Sequence, residues 1–158
     1  MRPNPFAAFA TTLLIVALEL SVATAADQHS GIWKMNPAKS KYSPGPTPRS
    51  ITVWVTCDAD GINLKADGTN ADGTPSHVEY SAKFDGKEYP ITGTFADTVS
   101  VKRIDAATMQ TTLRNKAGQL MLVVTTTVST DGKTRISTFK GADGQGHDIN
   151  NVVVYDKQ

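Results

Sequence analysis

Six Asp-Gly pairs punctuate the chain, at Asp60-Gly61, Asp67-Gly68, Asp72-Gly73, Asp85-Gly86, Asp131-Gly132 and Asp143-Gly144. Both residues tolerate the positive φ of two-residue hairpin turns, so this dipeptide between alternating apolar runs is a strong local signal for a β-hairpin. Six such signals within one small domain leave little room for a helical fold. The intervening segments have the matching period. Ile51, Val53 and Val55 alternate with Thr52, Trp54 and Thr56, and Val78, Tyr80, Ala82 and Phe84 alternate with His77, Glu79, Ser81 and Lys83. A period of two, rich in Thr, Val and Ile, describes a pleated and half-buried surface.

On this pattern strands are predicted around Ile32 to Lys34, from Ser50, from Ile62, over 78–84, and over 88–95, 98–104, 108–115, 119–129, 134–140 and 150–156. No segment after the first 25 residues sustains a helical period over three turns. Residues 36–48 differ: Pro37, Pro44, Pro46 and Pro48, with Gly45 among them, remove ladder donors and favour an extended coil. They read as a long loop between the first and second strands, which is either a simple irregular crossing or a cover for one end of a barrel. Nine or ten successive antiparallel strands joined by short turns favour an up-and-down barrel over a sandwich, whose Greek-key connections are longer. The expected fold class is therefore all-β, an antiparallel up-and-down barrel of about nine or ten strands.

The N-terminus reads as a separate unit. Arg2 precedes an almost wholly apolar run from Phe6 to Leu18, and Ala23-Thr24-Ala25 supplies the small residues a signal peptidase reads. Cleavage is expected after Ala25, or one residue later. The run is shorter than the roughly 20 residues that cross a bilayer, and Glu19 stands near its end. Residues 1–25 are thus expected to be a signal peptide and 26–158 a single barrel domain, periplasmic or secreted, with no membrane span after cleavage. Removing Arg2 and Glu19 together leaves the net charge at +1, a balance that gives no electrostatic basis for binding nucleic acid. Cys57 is the only cysteine, so the domain is held without an internal disulfide despite an oxidising route. A quiet, half-buried strand thiol is the expected state of Cys57.

Gly31-Ile32-Trp33 opens the first expected strand and resembles the Gly-x-Trp hallmark of lipocalins, whose tryptophan closes the base of a cup-shaped barrel. That resemblance implies a late arginine packed over the tryptophan, for which Arg135 is the candidate. No Thr-Asp-Tyr turn and no C-terminal helix accompany it. A wider resemblance runs through Trp33-x-x-Asn36-Pro37-x-Lys39-Ser40-Lys41-Tyr42, the Pro-Gly-Pro at 44–46, Asp85-Gly86-Lys87-x-Tyr89-Pro90, Asp131-Gly132-Lys133-Thr134 and the ending Val154-Tyr155-Asp156-Lys157-Gln158. In these the chain resembles a family of exported bacterial lipocalin-like β-barrel proteins, themselves uncharacterised. The resemblance implies the fold and the compartment, and carries no ligand or catalytic residue with it.

Chemistry-bearing patterns are sparse. His29, His77 and His147 lie far apart, and zinc needs three or four converging ligands. Asp58, Asp60, Asp67, Asn70 and Asp72 lack the spacing and terminal Glu of a calcium loop, and hairpin chemistry accounts for each aspartate. There is no Gly-x-Ser-x-Gly and no phosphate-cradling glycine loop ahead of a helix. The expectation is no enzyme, no catalytic residues, no metal and no cofactor. What remains is an interior lined by Val53, Leu64, Tyr80, Phe84, Val101 and Leu122, with Trp54 outside. Such a barrel is either filled or hollow enough for one small lipophilic ligand. Arg103 shares a face with Val99 and Val101. It either anchors a ligand carboxylate or lies at the strand end and reaches solvent. The candidate ligand-binding residues are Arg103, Tyr80, Phe84 and Trp33. The alternative is an interaction module with a filled core, using Trp54 as its partner contact.

Expression of the full chain in a bacterium with a periplasm tests the division at Ala25. Intact-mass and N-terminal analysis of the released protein should show a chain beginning at Ala26 or Asp27. Retention of Met1 on a membrane-bound product would contradict it.

Overall fold

Ten strands are drawn from the alternating segments in the computed structural model, which describes residues 27–158; the expected signal peptide lies outside the described residues. They are β1 (Gly31–Met35), β2 (Ser50–Cys57), β3 (Gly61–Thr69), β4 (Pro75–Lys83), β5 (Tyr89–Thr92), β6 (Thr98–Arg103), β7 (Thr108–Arg114), β8 (Leu120–Val128), β9 (Thr134–Ala142) and β10 (Asp148–Lys157). Each pairs antiparallel with its sequence neighbours. β1 also pairs with β10, which closes the sheet into an up-and-down barrel. At the seam Trp33 stands opposite Val53 on one side and Lys157 on the other. Closure removes both sheet edges, which would otherwise offer unpaired donors and acceptors to another chain.

The turns follow the aspartates more faithfully than the Asp-Gly pairs. Asp72, Asp85 and Asp131 each accept a hydrogen bond from a backbone N–H two residues on, at 2.9–3.0 Å, and the glycine that follows each has positive φ. Asp67-Gly68 is a correction to the expected turn. Both residues lie inside β3, where Gly68 pairs with Ile51 and Ser76, and the turn falls later, with Asn70 N–H donating to Thr74 O at 2.8 Å. Gly68 serves close approach instead: a Cβ there would lie 2.5 Å from Ser50 O.

Inward side chains of the period-two pattern form the core. Val99, Val101, Val128 and Val153 are almost wholly buried, as is Trp33 at the end of the barrel where β1 begins. The Trp33 indole N–H donates to His29 O at 2.9 Å. The cation over its ring is Lys157, 5.0 Å from the centroid, rather than the expected Arg135. Lys157 takes that place because the register sets it directly beside Trp33, whereas Arg135 pairs with Tyr155, two residues earlier in β10. Trp33 and His29 thus plug the base.

The proline-rich segment returns across β10. Lys41 bridges Val152, and Ser43 N–H donates to Asn151 Oδ1 at 2.8 Å. This places Tyr42 and Pro48 over the end of the barrel opposite the base. Outward faces of β3 and β4 carry exposed Lys65, His77, Glu79 and Lys83. Among the described residues, no helix is long and apolar enough to cross a membrane.

Trp33→Ala should destabilise the domain by about 3–5 kcal/mol, the usual cost of emptying a large aromatic site. Trp33→Phe should cost only about 1–3 kcal/mol, chiefly from leaving His29 O unpaired. Urea unfolding checks both values; equal, small losses would show that the base is not a stability determinant.

Candidate functional site

Inside the barrel lies a cavity of about 430 Å³. The face alternation of β2, β3, β4, β8 and β9 builds it, since small and medium side chains such as Ala66, Val78, Thr111, Val124 and Ser137 do not meet across the interior. Its mouth is bordered by Tyr42, Pro48, Asn70 and Phe95; its walls are mostly aliphatic, including Ile51, Leu64, Ile91 and Leu122. Its floor is polar, with Arg135, Tyr80 and Tyr155. Above the floor the buried hydroxyls of Thr126 and Ser137 bond each other at 2.8 Å and so satisfy themselves.

Arg135 dominates the floor. The residue is only 6% exposed, and its Nε and Nη1 are buried without a hydrogen-bond partner among the described residues. Burial lowers its pKa, and the groups whose fields oppose that are Tyr155, Tyr80 and Cys57. Each of these is neutral at pH 7: burial pushes Tyr155 up to about 12 and Cys57 up to about 11, and raises Tyr80. Arg135 therefore stands among described residues with no counter-charge. A lone buried guanidinium is expensive.

Of the four residues expected to bind ligand, Tyr80 lines the cavity, and the other three are placed elsewhere. Trp33 seals the base. Arg103, the last residue of β6, lies at the closed end of the barrel and outside the cavity lining, where Nη2 meets Asp27 Oδ2 at 2.6 Å and the guanidinium stacks 4.4 Å from the Phe84 ring centroid. A carboxylate and an aromatic face already satisfy it there. Phe84 packs against the edge of the core beneath it. The arginine that lines the cavity is Arg135, on β9. Arg135 is in phase with Ser137 and Phe139, both of which line the cavity, while the more apolar Ile136 faces out at 43% exposure. Phe139 was the legible signal; the hydrophobicity of Ile136 masked it.

Other polar groups are accounted for locally. Cys57 is half-buried, with Ser30 Oγ accepting from its N–H at 2.9 Å; its raised pKa makes it an inert thiol. His77 bonds Asp67 at 2.6 Å on the outer face, and Lys65 completes that cluster at 3.0 Å. Among the described residues no three His, Cys, Asp or Glu side chains converge on a metal-sized site. His29 is different. It is fully buried, and both ring nitrogens lack partners among the described residues. Burial, reinforced by the Arg135 charge and opposed by Asp27, lowers its pKa to about 4.

The fold class these features define is an all-β, closed, ten-stranded antiparallel barrel around an apolar cavity. No family model matches the chain, and no curated protein matches it in sequence. Among solved structures it is similar to the zebrafish ileal bile acid-binding protein complexed with cholic acid, at 12% identity and a TM-score of 0.49, over 83% of this chain and 99% of that one.

The His29 environment gives a pH dependence of known sign. Its folded pKa lies below its unfolded value of 6.5, so between about pH 6.5 and 4 the unfolded chain binds the extra proton. Stability should be full above that window and fall through it on acidification, by roughly 3 kcal/mol at most. His77 acts with the opposite sign, but it is exposed and screened. Urea unfolding at pH 7 and pH 4.5 should show the loss in the native chain and a smaller one in His29→Leu. Equal slopes in the two proteins would contradict the assignment.

Proposed function

We propose that this barrel is a binding protein for one small apolar or amphipathic molecule, held in its internal cavity. The observation that carries the reading is a volume of about 430 Å³ walled by aliphatic side chains in a barrel that is otherwise closed and packed. Ligand pockets commonly occupy roughly 300–1,000 Å³, are mainly apolar and hold a few placed polar groups. A filled interior, as an interaction module would have, leaves no such volume. The reading is binding rather than catalysis, because the floor presents one cation and neutral hydroxyls, with neither a nucleophile paired to a base nor a pair of carboxylates.

The proposal extends to the compartment. The apolar run after Arg2 and the small residues Ala23-Thr24-Ala25 support an exported, periplasmic or secreted carrier. The balanced charge of +1 gives no support for a nucleic-acid partner.

N-Phenyl-1-naphthylamine, a neutral apolar fluorophore, should bind one-to-one with an increase in emission. Val124→Trp projects an indole into the cavity and should weaken that binding by about tenfold or more, with Tm unchanged or raised because the new ring fills space. If the native chain gives no emission increase, or the variant binds as well as the native chain, the cavity is not the binding site.

A further inference from the structure

The geometry points to Arg135 as the anchor for an anionic head group, a carboxylate or its sulfonate equivalent, so that the ligand is an amphipathic anion lying head-down with its apolar tail toward Tyr42 and Pro48. The inference rests on the cavity being a binding site and adds the chemical class and the orientation of what it takes.

Four buried side-chain nitrogens lack partners among the described residues, and they belong to just two residues: Nε and Nη1 of Arg135, and Nδ1 and Nε2 of His29. Both residues lie toward the sealed end. Arg135 opens onto the cavity, and His29 sits behind it at the base, close enough for the guanidinium charge to act on the imidazole. The chain shows with Arg103 how it satisfies a guanidinium when it does so internally, through Asp27 at 2.6 Å and the Phe84 face. Nothing equivalent meets Arg135. The carboxylate nearest in sequence, Asp131, is committed to its own hairpin, bonding Ser129 Oγ at 2.6 Å and Lys133 N–H at 3.0 Å. Asp27 is held by Arg103. Asp67 borders the cavity but is engaged by Lys65 and His77.

A planar guanidinium with unused donors suits a carboxylate that accepts two parallel hydrogen bonds. The aliphatic walls above it suit the tail of the same molecule. A neutral apolar ligand would fill the walls and leave the guanidinium bare. A fully polar anion would satisfy Arg135 and leave the walls wet. Only an amphipathic anion satisfies both halves, and the polarity of the cavity, cation at the floor and aliphatic side chains to the mouth, sets its direction.

Displacement of N-phenyl-1-naphthylamine by decanoate and by 1-decanol, which share a tail and differ in head-group charge at pH 7, separates the terms. In the native protein decanoate should displace the probe at a concentration ~10- to 100-fold lower than decanol, the range a charge-assisted hydrogen bond supplies. Arg135→Met should bring the two to near equality while the probe still binds, and its unliganded Tm should rise by several degrees, since a buried unpaired charge has gone. Arg135→Lys keeps the charge but not the fork, and should retain part of the preference. Equal displacement by decanoate and decanol in the native protein would overturn the anion while leaving the cavity as a binding site. So would a preference that survives in Arg135→Met, as far as Arg135 is concerned. Failure of the probe itself to bind would remove the cavity reading and this inference together.

Discussion

Closing antiparallel strands into a cylinder fixes the diameter of the interior by strand number, and the side chains can only fill what that diameter leaves. About eight strands enclose a space that ordinary inward residues pack solid. This barrel has ten. Its inward positions on β3, β4, β7, β8 and β9 include Ala66, Val78, Thr111, Thr126 and Ser137, which are small for the wider circumference. The cavity follows from those two facts together. Packing becomes complete toward the base, where Trp33 and Val128 are almost wholly buried. With Cys57 alone there is no cross-link to share the load, so closure at the β1–β10 seam and the packed base hold the chain.

The same constraint places the polar floor in a demanding setting. The walls around it are mostly aliphatic, and electrostatic interactions in such surroundings are correspondingly strong. Two arginines of one chain meet that setting differently. Arg103 ends its strand at the closed end of the barrel and pairs with Asp27. Arg135, the second residue of β9, is paired with Val128 on one side and Tyr155 on the other, and its side chain is buried. Leu or Met in its place would pack the floor with no electrostatic cost. A charged residue held at that point therefore weakens the unliganded domain, a cost that the anionic ligand proposed above would offset.

Much of this fold was legible in the residues, for reasons that also mark where legibility stopped. Alternation in segments such as 51–56 and 78–83 gives strands because one face of each is buried, and that burial is what a period of two records. The Asp-x turns were legible because a side chain two residues away makes the bond. Asp67-Gly68 looked the same but lies mid-strand, since the glycine there answers to the approach of Ser50, a contact no local pattern reports. The cavity was legible only as a possibility, because its volume depends on strand number and on which small residues face one another. Arg135 was least legible. Hydrophobicity alone assigns Ile136 inward, and only the positions of Ser137 and Phe139 in the same strand reverse the phase.

The distribution of ladder strength around the barrel bears on how a molecule reaches the floor. β3 and β4 share a register of nine residue pairs, and β9 and β10 another nine, so neither seam opens without breaking a long row of hydrogen bonds. β5 is the exception: it pairs through only two positions with β4 and two with β6. Regions with few backbone bonds and shallow packing open locally at least cost. Just beyond β5 stands Phe95, 40% exposed at the mouth. On the other side of the mouth Tyr42 and Pro48 belong to a loop fastened to β10 by the Lys41 bridge and the Asn151 bond rather than by a ladder. The two weakly tied segments border the apolar end of the cavity, while the end holding Arg135 is sealed by Trp33 and His29. A molecule entering between them meets aliphatic walls first and the guanidinium last, the order in which an amphipathic anion is satisfied only when its head leads.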